Sequence, residues 1–482
     1  MSKRTNCGVA FLWCLAVGHI SGDAYAAPRA DGELRVKIVD SERGQPLPAR
    51  IHLQNSRRRP VNLRLPGSAE FGDHFYVDGS AALPLRAGQY AFEIEATPEY
   101  HSQSGHFEIQ RHADDEKVIE MKRFADLAKE GWWAGDLDVS RNVADMPLVM
   151  RAEGLSMAPN AELHHSGLIH FNLPASFDFK HAAKNQSSPA VLQEVHSRGG
   201  IVVARTPFAW DLPVWLASGK LDGIMLINHH ALRDGTSDDE KDGRPRDRSM
   251  FPGSAGNGRW SEMIYHHVLN CGLRIPPVAG SGSGMNESPA GTNRVYVHCG
   301  EQFSEDRWWE ALQAGRVFVT NGPLLRPLVE DQPPGYVFRL EDGQSLALEI
   351  GLNLATRVPV EYLEIVKNGE VEAEVRLEEF AKTAGRLPPV VFDESGWFVV
   401  RAVTNDRRKY QLASSGPYYI EKNGRPRISR RSVEFFLDWI TEAEQRQRDG
   451  KGFDDAARER LLAEQRAARE FFRALLATAN AE

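Results

Sequence analysis

Residues Gly131 to Asn160 read GWWAGDLDVSRNVADMPLVMRAEGLSMAPN. Aromatics and glycine open the stretch (Trp132, Trp133, Gly135), and a short alternation follows, Asp136-Leu137-Asp138-Val139-Ser140. Period-two alternation predicts a strand with Leu137 and Val139 on the buried side and Asp136, Asp138 and Ser140 facing a cleft. Met146 to Gly154 then predicts a helix. A strand that ends in polar side chains and leads into a helix is the arrangement that carries active sites in α/β folds.

Outward from this stretch, residues 126–330 alternate helical and strand patterns. Ser188-Pro189 starts a helix through His196, because serine caps and proline suits the first turn. Gly199-Gly200 stops it, and Ile201-Val202-Val203-Ala204 predicts a buried strand. Leu212 to Ser218 predicts a helix, Gly223–Ile227 a strand, Arg259 to Asn270 a helix, Arg294–His298 a strand. Glu305–Ala314 predicts a helix and Arg316–Thr320 a last strand. Repeated α-then-β with short links implies a parallel sheet or barrel.

The stretch GDLDVSRNVADMPLVMRAE resembles the first motif of the PHP (polymerase-and-histidinol-phosphatase) superfamily, in its secreted carbaryl-hydrolase-like (CehA/McbA-type) branch. The resemblance implies an α/β fold: a PHP-like distorted β/α barrel flanked by two β-sandwich domains and a C-terminal helical tail. That branch reads GDLHxH here, where two imidazoles at alternate strand positions grip a metal. This chain has Asp138 and Ser140 at those places. The branch's closing G-S-D-A-H is here Gly280-Ser281-Gly282-Ser283-Gly284, and a strand that ends in His-Pro reads Arg205-Thr206-Pro207. Its G-R-x-F-V-T-N-G-P signature persists as Gly315 to Pro323.

Ten of the 16 histidines, His181 among them, fall in the barrel segment, which keeps a metal in view. The resemblance implies a rebuilt site in which Asp138, His165 and His230 ligate a divalent metal (Zn, Mn or Fe), the alternative being no cofactor. Asp136 would act with Arg259 or Arg316 steadying an oxyanion. Asn228, His267 and Asn321 would contact a ligand. The Gly-Ser loop 280–284 could cradle an anion through backbone N–H groups. The implied function is a metallohydrolase relative with a degraded metal site, acting on an ester or phosphoester. The alternative is a non-catalytic ligand-binding pseudoenzyme of the cell envelope, whose ligand is a small molecule or an envelope polymer.

The flanks are predicted all-β. In residues 27–125, ELRVKIVD (Glu33–Asp40), ARIHL (Ala49–Leu53) and QYAFEIEA (Gln89–Ala96) alternate between turn signals, as in a β-sandwich. Their order resembles secreted carboxypeptidase-regulatory-like modules, so no chemistry is assigned there. Residues 331–425 predict a second sandwich, with a type I′ hairpin at Asn368-Gly369. Residues 426–482 predict a helical tail with Val433, Phe436, Leu437 and Ile440 on one stripe, interrupted near Gly450.

Lys3-Arg4, the apolar run Val9 to Val17 and Ala24-Tyr25-Ala26 read as a signal peptide over 1–26, hence a secreted or periplasmic location. The apolar run is too short to span a bilayer, so no stable membrane insertion is expected after cleavage. A formal net charge of −8 offers no basic face for nucleic acid. Cys271 and Cys299 remain in the mature chain, and two buried thiols are favoured over a bridge.

Overall fold

The computed structural model describes residues 30–159, 162–164, 167–173, 188–241, 243–406, 409–449 and 455–482. The signal-peptide reading, His165, His181 and Gly450 lie outside the described residues.

The N-terminal part is two facing sheets. One has the order Ser80–Leu85, Gly32–Asp40, Asp114–Met121; the other runs Ala69–Phe71, His74–Asp78, Pro48–Asn55, Gly88–Glu95, Gln103–Ile109. Leu34, Val36, Ile38, Ile51, Leu53, Phe75 and Val77 fill the space between them. Strand Pro48–Asn55 departs from simple alternation, since five consecutive residues in it are buried. Arg50 and His52 point away from the sandwich core and are covered all the same. Glu153, at the end of the helix Met146–Glu153, is the side chain that meets Arg50 there.

In the middle part, Ile201–Ala204, Gly223–Ile227 and Pro277–Ala279 form neighbouring parallel strands, linked through helices Leu212–Ser218 and Gly256–Asn270. This is the predicted α-then-β rhythm. Pro277–Ala279 is one edge of this sheet; on the other side Leu168–Phe171 pairs antiparallel with Ile201–Ala204. In a separate sheet Arg294–His298 pairs antiparallel with both Trp132–Gly135 and Val317–Thr320. The opening stretch joins the two groups of strands. Leu137 N–H donates to Ala279 O (3.1 Å), Ser140 N–H to Ser283 O (2.7 Å) and Ser283 N–H to Asp138 O (3.1 Å). The predicted strand over 136–140 is absent: the strand ends at Gly135. Asp136 and Asp138 are as fully buried as Leu137 and Val139, because the Gly280–Gly284 loop covers the side expected to face a cleft.

The sheet does not stop near residue 330. Strand Val317–Thr320 pairs with Leu412–Ser415, which pairs with Gly396–Thr404, so one nine-stranded sheet carries both middle and C-terminal strands. A separate three-stranded sheet holds Leu324–Val329, Leu346–Ala355 and Arg386–Phe392. The hairpin Val360–Lys367/Glu370–Arg376 turns on Asn368 (φ 55°) and Gly369 (φ 95°), the two positive angles that a type I′ turn needs. The tail is two helices, Arg430–Asp449 and Asp455–Ala477, which pack back on the middle core through Val433, Phe436, Trp439, Ile440 and Phe472. Among the described residues no helix is long and apolar enough to cross a membrane.

Candidate functional site

Asp136 and Asp138 lie two residues apart in the chain, both fully buried, and they are engaged differently. One oxygen of Asp136 accepts the backbone N–H of Ser281 (2.9 Å) and of Asp138 (3.1 Å); the other accepts Gly291 N–H at 2.6 Å. Burial pushes its pKa up to about 6, against the pull of those donors. Asp138 instead meets a side chain: Arg205 Nε donates to Oδ2 at 2.7 Å, and Arg205 is itself only 11% exposed. Burial raises the Asp138 pKa and the guanidinium opposes the rise.

Arg205 follows the strand Ile201–Ala204, where the resemblance would bring a histidine. A fixed cation therefore stands beside the carboxylate that was expected to ligate. Asp136 has both oxygens engaged by N–H groups. A divalent ion on Asp138 would face the guanidinium as a like charge within a few ångströms, which low polarity does not screen. Asp138 Oδ1 and His229 Nδ1 are buried without a hydrogen-bond partner, but among the described residues no three His, Cys, Asp or Glu ligand atoms converge here, so this donor set does not fit a metal.

The Gly-Ser loop explains the rest of the packing. A Cβ on Gly280 would lie 2.4 Å from Asp138 Cβ, on Gly282 2.6 Å from His229 Cβ, and on Gly284 1.9 Å from Ser140 O. Gly282 and Gly284 also hold φ of 65° and 100°. The loop lies flush on residues 136–140, an extended segment with one isolated bridge from Val139 to Ser283, and its Ser281 and Ser283 N–H groups are spent on Asp136 and on Asp138 O. The anion it cradles is the protein's own Asp136 carboxylate.

The other predicted residues are placed as follows. Asn228 is buried, and its Oδ1 lies 3.1 Å from His230 N and 3.0 Å from His230 Nδ1. The His230 ring lies 4.1 Å from that of His229, whose pKa falls to about 2 through burial, His230 and Arg205. His267 is half-buried against the tail, stacked on Phe435 at 4.1 Å and 2.9 Å from Ser432 Oγ. Asn321 shapes a turn, donating to Tyr410 O (2.8 Å) and accepting Leu412 N–H (2.9 Å). Arg259 is exposed and lines a different cleft, with Glu262, Arg401 and Tyr410. Arg316 is exposed near His298. Neither arginine is a recorded partner of Asp136 or Asp138. Sequence reading missed Asn293, fully buried, whose Nδ2 bridges the carbonyls of Asn228, Ala231 and Gly280 at 2.9–3.0 Å. Cys271 and Cys299 are free thiols, Cys271 buried and Cys299 half-buried.

Among the described residues, one group of three or more His, Cys, Asp or Glu could hold a metal ion: His52, Asp73 and His74, their ligand atoms within 4.8 Å of one another. It lies in the N-terminal part, to which the sequence assigned no chemistry. His52 and His74 are directly opposed across neighbouring antiparallel strands. Asp73, in the tight turn before His74, reaches His74 Nδ1 at 3.0 Å and His52 Nδ1 at 3.3 Å. Arg50 Nε donates to His52 Nε2 at 3.1 Å. His74 Nε2 is buried without a hydrogen-bond partner, and burial lowers the His74 pKa to about 4.

A chamber of about 310 Å³ opens nearby, between the N-terminal sheet, the Gly291 to Arg294 segment and the residues around Asn321 and Arg357. Gly291, whose N–H holds Asp136, lines it.

No family model matches the chain, and no curated protein does. Among solved structures, the Bacillus anthracis TIE protein is 22% identical over 24% of this chain and 20% of its own, with a TM-score of 0.16. Fibronectin(III)-like modules of Clostridium thermocellum CbhA are 15% identical over 20% of this chain and 94% of theirs (TM-score 0.14). A Parabacteroides merdae β-glucuronidase is 9% identical over 78% of this chain and 61% of its own (TM-score 0.19). The chain thus spans a fifth of the first of these. Similarity at these TM-scores carries no argument about fold or activity.

Proposed function

We propose that this chain is a non-catalytic ligand-binding protein of the cell envelope, built on a PHP-like frame whose metal site has been replaced by a salt bridge. The observation that carries the reading is the contact of Arg205 Nε with Asp138 Oδ2 at 2.7 Å, between two side chains that are almost wholly buried. A guanidinium supplies the positive charge that a metal would bring, but it offers no open position at which water could be activated. The preserved Gly315 to Pro323 signature supports the shared frame. The signal-like N-terminus supports export.

The test is elemental analysis of the purified full chain, repeated on His74→Ala to set the N-terminal histidine pair aside. The expected result is no near-stoichiometric Zn, Mn or Fe in the variant. Stoichiometric metal that survives His74→Ala and is lost in Asp138→Asn would restore the hydrolase reading.

A further inference from the structure

We propose that the chamber beside Gly291 binds a small organic anion of about the size of a sugar phosphate or a dicarboxylate, an inference that rests on the binding-protein reading and supplies its ligand class. Five cationic side chains line the chamber: Arg50, Arg233, Arg294, Arg357 and Lys409. Three carboxylates face them, Glu93, Glu95 and Glu153.

Those carboxylates are already shared. Glu153 is held by Arg50 and Arg294. Glu95 is contacted by Arg50, by Arg233 at 3.6 Å and by Arg357 at 3.4 Å. Glu93 takes Arg233 at 2.6 Å. Among the described residues Lys409 has only Asp234, 3.6 Å away, largely exposed and shared with Arg233 at 3.5 Å. Arg357 donates to the carbonyls of Ala96 and Thr97, while its Nε is buried with no hydrogen-bond partner. With Asp234 counted beside the three lining glutamates, five cations meet four carboxylates, an excess of one positive charge, and the Arg357 fork keeps a buried nitrogen without a partner. Burial, together with Arg294 and Arg50, lowers the Arg357 pKa in spite of Glu95.

Unpaired buried charge is costly, and an anion that accepts from a guanidinium fork relieves it. A volume of about 310 Å³ is at the small end of ligand cavities. Gln411 adds a neutral amide that suits a hydroxyl on such a ligand, whereas Thr320 and Asn321 spend their side chains on the adjoining turn. The position fits the frame as well, because all three parts of the chain contribute to the wall.

Isothermal titration of the full chain at low ionic strength tests this with glucose 6-phosphate, inorganic phosphate and succinate, and with glucose as the neutral control. The expected result is saturable binding of at least one anion, weakening with salt, and none of glucose. The phosphate and succinate arms separate a phosphate ligand from a carboxylate one. Arg357→Gln should weaken binding roughly tenfold or more, the loss of one charge-assisted contact. Lys409→Gln should weaken it less, and Arg357→Lys should recover part of the loss. Lys409 is partly exposed, so its variant keeps the test valid where an Arg357 variant fails to fold. No binding of any of the three anions, or binding that neither variant weakens, overturns the proposal. Either result leaves the metal analysis of Asp138 untouched, so the two readings fail separately.

Discussion

Two clusters of carboxylate and imidazole lie among the described residues, and they differ in how their ligand atoms are gathered. At Asp136, Asp138, His229 and His230, the carboxylates are engaged by backbone N–H groups and by Arg205. At His52, Asp73 and His74, one carboxylate sits between two rings and a buried His74 nitrogen has no partner. The first cluster carries the motif that suggests metal, yet it too leaves Asp138 Oδ1 and His229 Nδ1 buried without a hydrogen-bond partner; among the described residues only the second gathers three ligand atoms within 4.8 Å of one another. A residue type at the right spacing is thus no guide to ligation until its ligand atoms are shown to converge.

The largest effect should come from Asp136→Ala. It strands three buried N–H groups, those of Ser281, Asp138 and Gly291, in a loop whose glycines leave no room to adjust. A loss of about 4 kcal/mol in chemical denaturation is expected, from about 1–3 kcal/mol per stranded group with partial relaxation. A loss under 1 kcal/mol would mean that the clamp is not what seats the loop.

Arg205→Ala should follow, at about 3 kcal/mol, because it leaves Asp138 buried and unpaired. Asp138→Asn in the same chain should recover part of that cost. The pH dependence has a definite sign. Burial already raises the Asp138 pKa, and losing the guanidinium raises it further. An acid whose folded pKa lies above its unfolded one loses stability as pH rises between the two. The Arg205→Ala penalty should therefore shrink toward the ordinary aspartate range near pH 4 and be full at neutral pH. A penalty that is flat with pH would break the assignment of Arg205 as the charge partner.

Much of the frame was legible because alternation and turn chemistry act locally. Leu34, Val36 and Ile38 are buried as their period predicts, and Asn368-Gly369 turns with the two positive angles expected. The tail's stripe through Val433, Phe436 and Ile440 packs inward, with Trp439 added. The continuity of the sheet from Val317–Thr320 into Leu412–Ser415 was not legible, since pairing across some ninety residues leaves no local trace. Nor were the buried polar groups. Arg50 and His52 look like the wet face of a strand, but Glu153 and Glu95 close over Arg50 and Asp73 meets His52, and both side chains are buried. Arg205 was visible as a missing histidine, but not as the partner of a residue 67 positions away.

The N-terminal group sharpens the contrast from the other side. His74 is fully buried, and its pKa falls from 6.5 to about 4. A base with a depressed folded pKa contributes stability that is present above 6.5 and is lost as pH falls from there to about 4. Its share of the acid loss is about 3 kcal/mol at most. Stability should thus decline below pH 6.5, and His74→Gln should flatten that decline. Neutral imidazoles are also what a metal requires. Zn²⁺ at a hundred times its dissociation constant would stabilise the fold by about 2.7 kcal/mol at neutral pH if the group takes it up.

The smallest expected change in intrinsic stability is the most discriminating. Asp73 is about a third exposed, and its contacts with His52 and His74 hold its carboxyl well below the usual range. Its contribution is therefore present at neutral pH and lost only as pH falls below about 4. Solvent screening reduces it, so Asp73→Asn should cost about 1 kcal/mol without metal. The amide keeps an acceptor for one ring but loses the charge that would hold an ion, so the same substitution should abolish any stabilisation by Zn²⁺. Melting curves with and without Zn²⁺ then separate brace from ligand. A Zn²⁺ effect that survives Asp73→Asn would show that the carboxylate only braces the two rings. In that case the ion would be held without the carboxylate, and the contrast between the clusters would rest on the imidazoles alone.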